Sequence, residues 1–170
     1  YARYPCDPVF MDAVYGSVPS ELEIFANIET PRVSGSFALA VSDQEYSDFV
    51  RSIVERYDGD GIDDMPDLPR PILHWQIDNE PPFWQLGVTD GLTDDPQGWP
   101  ALTRDDYARV VGLAREAIDT ACPKCKLFVG GLIDMGSQAI LVEEFYRPVL
   151  EALRGSRIDG IDIHVYGEAG

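Results

Sequence analysis

The sequence predicts an α/β fold in which parallel strands alternate with helices. Four short apolar runs have the length of strands, and segments with helical spacing of apolar residues separate them. This alternation favours right-handed βαβ units and a parallel sheet. No glycine-rich phosphate loop follows a strand, and polar residues concentrate at two strand ends, at Asn79-Glu80 and at His164-Val165-Tyr166. Both observations favour a (β/α) barrel over a nucleotide-binding doubly wound sheet.

The predicted strands are short apolar runs. They lie near residues 22–28, 72–78, 126–132 and 158–165. Between the first two strands, Ser42 and Glu45 form a capping box, and apolar residues at helical spacing follow it. A second helix is predicted over residues 103–118. A third is predicted over 140–153, with a kink at Pro148.

Composition bounds the partners of this chain. Its 170 residues, 45% of them hydrophobic, are enough to bury a core. Thirty acidic residues against 13 basic ones give a net charge of −17, which repels nucleic-acid phosphates and anionic membrane surfaces. We therefore expect neither a nucleic acid nor a membrane as partner. No signal peptide and no membrane-spanning apolar run is visible in the sequence.

Two short motifs have both structural and functional interpretations. Cys122 and Cys125 form a C-x-x-C that fits a local disulfide in an oxidising compartment or two free structural thiols. The motif follows a helix, which disfavours a thioredoxin-like redox site. Asp58, Asp60 and Asp64 match the D-x-D-G-x-x-D of calcium loops without completing an EF-hand. The alternative is an acidic turn between a helix and a strand, and no other cofactor is expected.

Glu80 has the surroundings of a general acid. It ends a strand, precedes two prolines that stiffen the backbone, and lies near Trp75, Phe83 and Trp84 in the sequence. Aromatic neighbours would desolvate the carboxyl group and favour its proton-donating form, and aromatic faces also stack on sugar rings. The amide of Asn79 can bind a hydroxyl group beside that carboxyl. The alternative is a capping glutamate whose aromatic neighbours, Trp75 included, fill the core.

The segment from Trp75 to Pro81 resembles the W-x-I-x-N-E-P segment on the fourth strand of clan A glycoside hydrolases. These are (β/α)8 retaining enzymes that include cellulases, mannanases and xylosidases. Further segments are similar to the family's third helix, its fourth helix, its fifth strand with the preceding turn, and its sixth strand with an H-x-Y. They are residues 49–57, 107–118, 122–131 and 161–167. The similarity covers roughly residues 20–167.

The resemblance implies roles for individual residues. Glu80 matches the family's acid/base, and Asn79 matches the residue that binds the sugar's 2-hydroxyl. His164 and Tyr166 match residues that line the same subsite and orient the nucleophile. Three aromatic residues are candidate sugar platforms that no motif fixes: Phe83, Trp84 and Trp99.

The resemblance also implies a partial TIM barrel. Residues 1–170 would form a single catalytic domain with strands three to six, about half of a (β/α)8 barrel, and open apolar faces. The family's nucleophile is a Glu after the seventh strand, which this sequence does not include, and Glu168 does not match it. We therefore expect a secreted glycosidase for polysaccharide degradation, whose remaining barrel comes from the parent chain, with these residues inactive alone.

Two other function classes stay open at this stage. One is a carbohydrate-binding barrel protein that lacks the chemistry, and the other is a calcium-binding structural module built on residues 58–64. The substrate class and the C-x-x-C indicate an extracellular or periplasmic location.

Overall fold

A computed structural model describes residues 8–31, 39, 41–81, 104–134 and 142–165. Helix α1 (Pro8–Gly16) precedes strand β1 (Phe25–Ile28), and α2 (Asp43–Tyr57) lies between β1 and β2 (His74–Ile77). Helix α3 (Arg104–Ala121) lies between β2 and β3 (Lys126–Asp134). A π-helical turn (Val142–Tyr146) continues into α4 (Arg147–Ala152), which is followed by β4 (Gly160–Val165).

The four strands form one parallel sheet in the order β1-β2-β3-β4. The predicted fold class is confirmed, because parallel strands alternate with helices in an open sheet consistent with part of a barrel. The carboxyl ends of the four strands meet at the same edge of such a sheet. Within the described residues, no helix is long and apolar enough to cross a membrane.

Each strand differs from its predicted bounds at one end, and β2 differs at both. Strand β1 starts at Phe25, because Leu22 belongs to a turn in which its N–H donates to the carbonyl of Pro19. Strand β2 starts at His74, because the N–H of Ile72 is bonded to Tyr57 at the end of α2. Strand β3 continues to Asp134 and contains a register shift, and β4 begins only at Gly160.

The three predicted helical segments are present among the described residues, but not in every detail. The capping box of Ser42 and Glu45 is present at the start of α2. The segment predicted as one helix kinked at Pro148 is instead a π-helical turn followed by a short α-helix. Pro148 lies in the first turn of α4, a position that proline favours. Helix α1 was not predicted.

The core lies between the sheet and its helices. Alternate residues of β2 and β3, among them Trp75, Ile77, Leu127 and Val129, belong to one buried cluster with apolar residues of α2 and α3. The indole Nε1 of Trp75 donates to the carbonyl of Ile72 at 3.1 Å. Trp75 is therefore a core residue.

Candidate active site

The turn after β2 carries the candidate acid in an uncommon backbone conformation. Asp78 and Glu80 have φ angles of 57° and 48°, in the left-handed region that L-residues rarely adopt. The carboxylate of Asp78 is fully buried and accepts hydrogen bonds from the backbone N–H (2.8 Å) and the hydroxyl (2.6 Å) of Thr30. The N–H of Asp78 donates to the carbonyl of Ile28 at 3.0 Å. These contacts fix the turn to the end of β1.

Two glycines of β3 leave room for this turn. A Cβ on Gly130 would overlap the carbonyl oxygen of Asp78. A Cβ on Gly131, whose φ is 45°, would lie 2.5 Å from the backbone nitrogen of Glu80 and 2.8 Å from its Cγ. Real Cβ atoms do not approach so closely, so side chains at these two positions would displace the turn. The backbone of β3 is thus the wall against which Glu80 packs.

Two buried tyrosines hold the same strand ends from the helix side. The hydroxyl of Tyr107 donates to the carbonyl of Ile77 at 2.8 Å and accepts from the N–H of Gly130 at 3.0 Å. The hydroxyl of Tyr146 donates to the carbonyl of Gly131 at 2.5 Å. Burial is the main cause that raises the pKa of both tyrosines well above its ordinary value, so both remain proton donors.

His164 joins the candidate acid to a second carboxylate. Its Nδ1 lies 2.5 Å from Oε1 of Glu80, and its Nε2 lies 2.9 Å from Oδ2 of Asp162. The hydrogen bond to Glu80 is the largest cause that raises the pKa of His164; partial burial opposes it. All three side chains are partly exposed, between 17% and 29%. The Glu80–His164–Asp162 triad is therefore open to a molecule that approaches the strand ends.

The predicted site residues fall into three groups. The structure brings Glu80 and His164 together and leaves Asn79 exposed next to Glu80 in the chain. Tyr166, Trp84, Phe83 and Trp99 lie outside the described residues. The sequence analysis missed Asp162. Residues two apart on a strand share a face, so the sequence could have placed Asp162 beside His164. It also missed Asp78 and the two tyrosines.

The C-x-x-C and the acidic loop lie apart from the triad in the sequence. Cys122 and Cys125 form a disulfide with a Cα–Cα distance of 5.3 Å, in the common range for such bonds. Carboxylate oxygens of Asp58, Asp60 and Asp64 lie within 4.8 Å of one another. All three accept backbone N–H groups of their own loop, which is how an acidic turn stabilises itself. Calcium binding there stays a prediction.

No protein-family model matches the sequence. No curated protein matches it either. Among solved structures, the chain is similar to a glucosidase from Croceicoccus marinus, with a TM-score of 0.62 and 16% sequence identity. The similarity covers 90% of this chain and 29% of that glucosidase, so the chain spans less than a third of its neighbour's length. At this identity the likeness shows a shared fold.

Proposed function

We propose that this chain belongs to a glycoside hydrolase that cleaves O-glycosidic bonds of a poly- or oligosaccharide by a retaining double displacement. Glu80 is the acid/base of that reaction. The glucosidase neighbour supports a glycosidase-like protein in general terms. The assignment of Glu80 rests on the geometry of this chain and on its resemblance to clan A enzymes.

The observation that carries the proposal is the hydrogen bond between Glu80 and His164 at the carboxyl ends of β2 and β4. (β/α) barrels carry their catalytic groups at this edge. The Glu80 side chain is 17% exposed, which leaves its carboxyl group accessible while the left-handed turn and the wall of β3 restrict its position. A positioned carboxyl group beside a proton-carrying imidazole is suited to proton transfer.

Glu80 acts in both steps of the proposed reaction. First, it gives a proton to the glycosidic oxygen while a carboxylate nucleophile attacks the anomeric carbon and forms a glycosyl-enzyme. Then its carboxylate takes a proton from the water molecule that hydrolyses this intermediate. Retaining enzymes place the two carboxyl groups about 5–5.5 Å apart. We assign the nucleophile to no residue from 1 to 170, because the resemblance places it after a seventh strand.

Three further residues complete the proposed sugar site. Asn79 binds the 2-hydroxyl of the sugar at the cleavage point, which its exposed amide allows. Tyr166 lines the same subsite, and Trp84 supplies a stacking face. The proposal also includes a carbohydrate substrate, a secreted protein, and a parent chain that provides the remaining strands of the barrel.

The test compares Glu80→Gln and wild type in the whole protein, on glycosides with two leaving groups. A poor leaving group, such as a second sugar, needs protonation, whereas dinitrophenolate does not. We expect kcat/KM to fall about 10²–10⁴-fold for the sugar leaving group and much less for dinitrophenolate. Glu116→Gln, at an exposed site on α3, is the matched control. Equal losses on both substrates would contradict the role, and sugar binding without any hydrolysis would favour a non-catalytic barrel.

A further inference from the structure

The two short contacts of His164 set a condition on the protons of the triad. A neutral imidazole has one N–H, and its other nitrogen presents a lone pair. Nδ1 lies 2.5 Å from a Glu80 oxygen and Nε2 lies 2.9 Å from an Asp162 oxygen. Both contacts are hydrogen bonds only when the triad holds two protons, either as an imidazolium between two carboxylates or as an imidazole beside one protonated carboxyl.

We propose that Asp162 is a positioning residue that, through His164, keeps a proton in store for Glu80. The inference rests on the proposed function in one respect, since it takes Glu80 as the acid/base. In this role Asp162 acts through its hydrogen bond to His164 and not on the substrate. It holds Nε2, so that Nδ1 is directed at Glu80 and the ring stays charged.

The sheet fixes the geometry that the proposal needs. Asp162 and His164 lie two residues apart on β4, on the same side of the strand. The pairing of Ile163 with Leu132, and of His164 with Ile133, holds this part of β4 against β3. Because each ring nitrogen contacts a carboxylate, rotation of the imidazole would break two hydrogen bonds at once. A strand-borne support of this kind is more precise than one on a loop.

The charges around His164 favour the protonated ring. Glu80 faces it from the end of β2 and Asp162 faces it from β4, and both hydrogen bonds raise the pKa of His164. Tyr146, from the π-helical turn, interacts with the same two carboxylates, and its raised pKa keeps it neutral. Asp78, the other carboxylate of the β2 turn, accepts from Thr30 instead.

The protons that the two steps of the reaction need can all pass between His164 and Glu80. In the first step, the Nδ1 proton of His164 moves to Glu80, and the carboxyl group formed in this way gives that proton to the glycosidic oxygen, which leaves Glu80 as a carboxylate. The imidazole becomes neutral and keeps its Nε2 proton on Asp162. In the second step, the attacking water gives a proton to Glu80, and the same proton returns to Nδ1. His164 therefore gives up one proton and regains one in each turnover.

The direct test is a pH titration of the histidine ring nitrogens by ¹⁵N NMR in this chain, wild type against Asp162→Asn. The sequence has two histidines, so His74, at the start of β2, is an internal reference. We expect wild-type His164 to keep both ring nitrogens protonated at pH 7 and its titration midpoint to fall in Asp162→Asn. Asp48→Asn, on the exposed face of α2, is the control and should leave the midpoint unchanged.

A midpoint that is unchanged in Asp162→Asn would overturn the inference. If that variant does not fold, Glu80→Gln replaces the other hydrogen-bonding carboxylate and should also lower the midpoint; an unchanged value there overturns it equally. The leaving-group assay separates this inference from the proposed function. A lowered midpoint together with equal losses on both leaving groups rejects Glu80 as the acid and keeps the stored proton. An unchanged midpoint together with a loss on the sugar leaving group alone keeps Glu80 as the acid and rejects the stored proton.

Discussion

Glu80 combines a left-handed backbone angle with a partly buried carboxyl group. A non-glycine residue in this region costs roughly 1–3 kcal/mol and persists only where its surroundings enforce it. Here the enforcing contacts are the bonds from Thr30 to Asp78 on one side and the glycine backbone of β3 on the other. Stored strain of this kind concentrates at functional sites, and it accounts for a rigid, outward-placed acid at the end of β2.

Gly131→Ala is expected to disturb the site more than it disturbs the fold. The added Cβ would meet the backbone and the Cγ of Glu80, and alanine does not favour the φ of 45° at this position. We expect a loss of about 1–3 kcal/mol of unfolding free energy and a changed His164 ¹⁵N spectrum.

Gly112→Ala is the matched control for that variant. Gly112 lies inside α3, and its nearest outside neighbour would be 4.0 Å from a new Cβ. Urea denaturation should therefore show a gain of up to about 1 kcal/mol. If Gly131→Ala is as stable as Gly112→Ala and leaves the His164 ¹⁵N spectrum unchanged, the backbone of Gly131 does not restrict the position of Glu80.

The sequence analysis predicted some residues of the site and missed others. Asn79 and Glu80 stood out because they end a strand, precede two prolines and match the N-E-P of the family that the segment resembles. Asp162 did not, because a carboxylate on a strand is also typical of a solvated face. Its role follows only from the contact with His164, which depends on how two strands are placed side by side.

Among the secondary-structure elements, a partly buried ion pair attaches α1 to α2. Arg56 binds Asp12 through both its Nε and its terminal nitrogen, and the hydroxyl of Tyr57 donates to the same carboxylate at 2.9 Å. Tyr15 packs edge-on against Tyr57. The Asp12 side chain is only 20% exposed, and the hydrogen bond from Arg56 is the main cause that lowers its pKa below 3.8.

Asp12→Asn should weaken this attachment in a pH-dependent way. A carboxyl group whose pKa is lowered by folding contributes stability above its unfolded pKa and loses it as the pH falls through the folded pKa. We expect a loss of roughly 1–3 kcal/mol at pH 7, and the difference from wild type should narrow below pH 3.8.

Asp48→Asn tests the same chemistry at an exposed site. Its partner Arg51 lies on the same helix, and both side chains are nearly half exposed, so water screens the pair. Chemical denaturation at several pH values should show little change in this variant. A pH-independent loss in Asp12→Asn would contradict the account of the α1–α2 attachment.

The elements differed in how far the sequence predicts them. Helix α2 follows from its capping box and apolar spacing, both of which are local. The π-helical turn does not, because it seats Phe145 and Tyr146 in the core and directs the hydroxyl of Tyr146 to Gly131. Tertiary contacts decide that geometry. Helix α1 is short, and its attachment through Asp12 depends on α2, about forty residues later in the chain.

At the scale of the whole molecule, β4 presents an apolar row to solvent. Ile161, Ile163 and Val165 are 38%, 59% and 71% exposed, on the side opposite Asp162 and His164. Contiguous exposed apolar residues on an edge strand favour association. The sequence analysis predicts apolar faces of this kind, and β4 is where the described residues show one.

Ile163→Lys should reduce self-association of this chain without a loss of stability. The side chain is 59% exposed, so the substitution removes little buried area while it adds a charge to the apolar row. Ile62→Lys is the control, since Ile62 is equally exposed but lies in the loop after α2. Sedimentation velocity at several concentrations should show less association for Ile163→Lys only. Equal behaviour of the two variants would mean that the β4 row does not mediate association.

The architecture was predictable because alternation of strands and helices is a property of the whole sequence. The parallel order and the edge that carries Glu80 and His164 follow from it. The distances within the triad do not, since they depend on the bulge between β3 and β4 and on the turn after β2. Extracellular or periplasmic location stays a prediction.

The proposed role of Glu80 is that of the acid/base in a retaining glycosidase. Azide rescue of Glu80→Ala in the whole protein tests it most directly, with a dinitrophenyl glycoside that needs no acid for its first step. Azide is small enough to enter the space left by the side chain, and it needs no general base to attack the glycosyl-enzyme. We expect azide to restore turnover and to give a glycosyl azide with the anomeric configuration of the substrate. An azide of inverted configuration would make Glu80 the nucleophile, and full activity without azide would contradict any catalytic role.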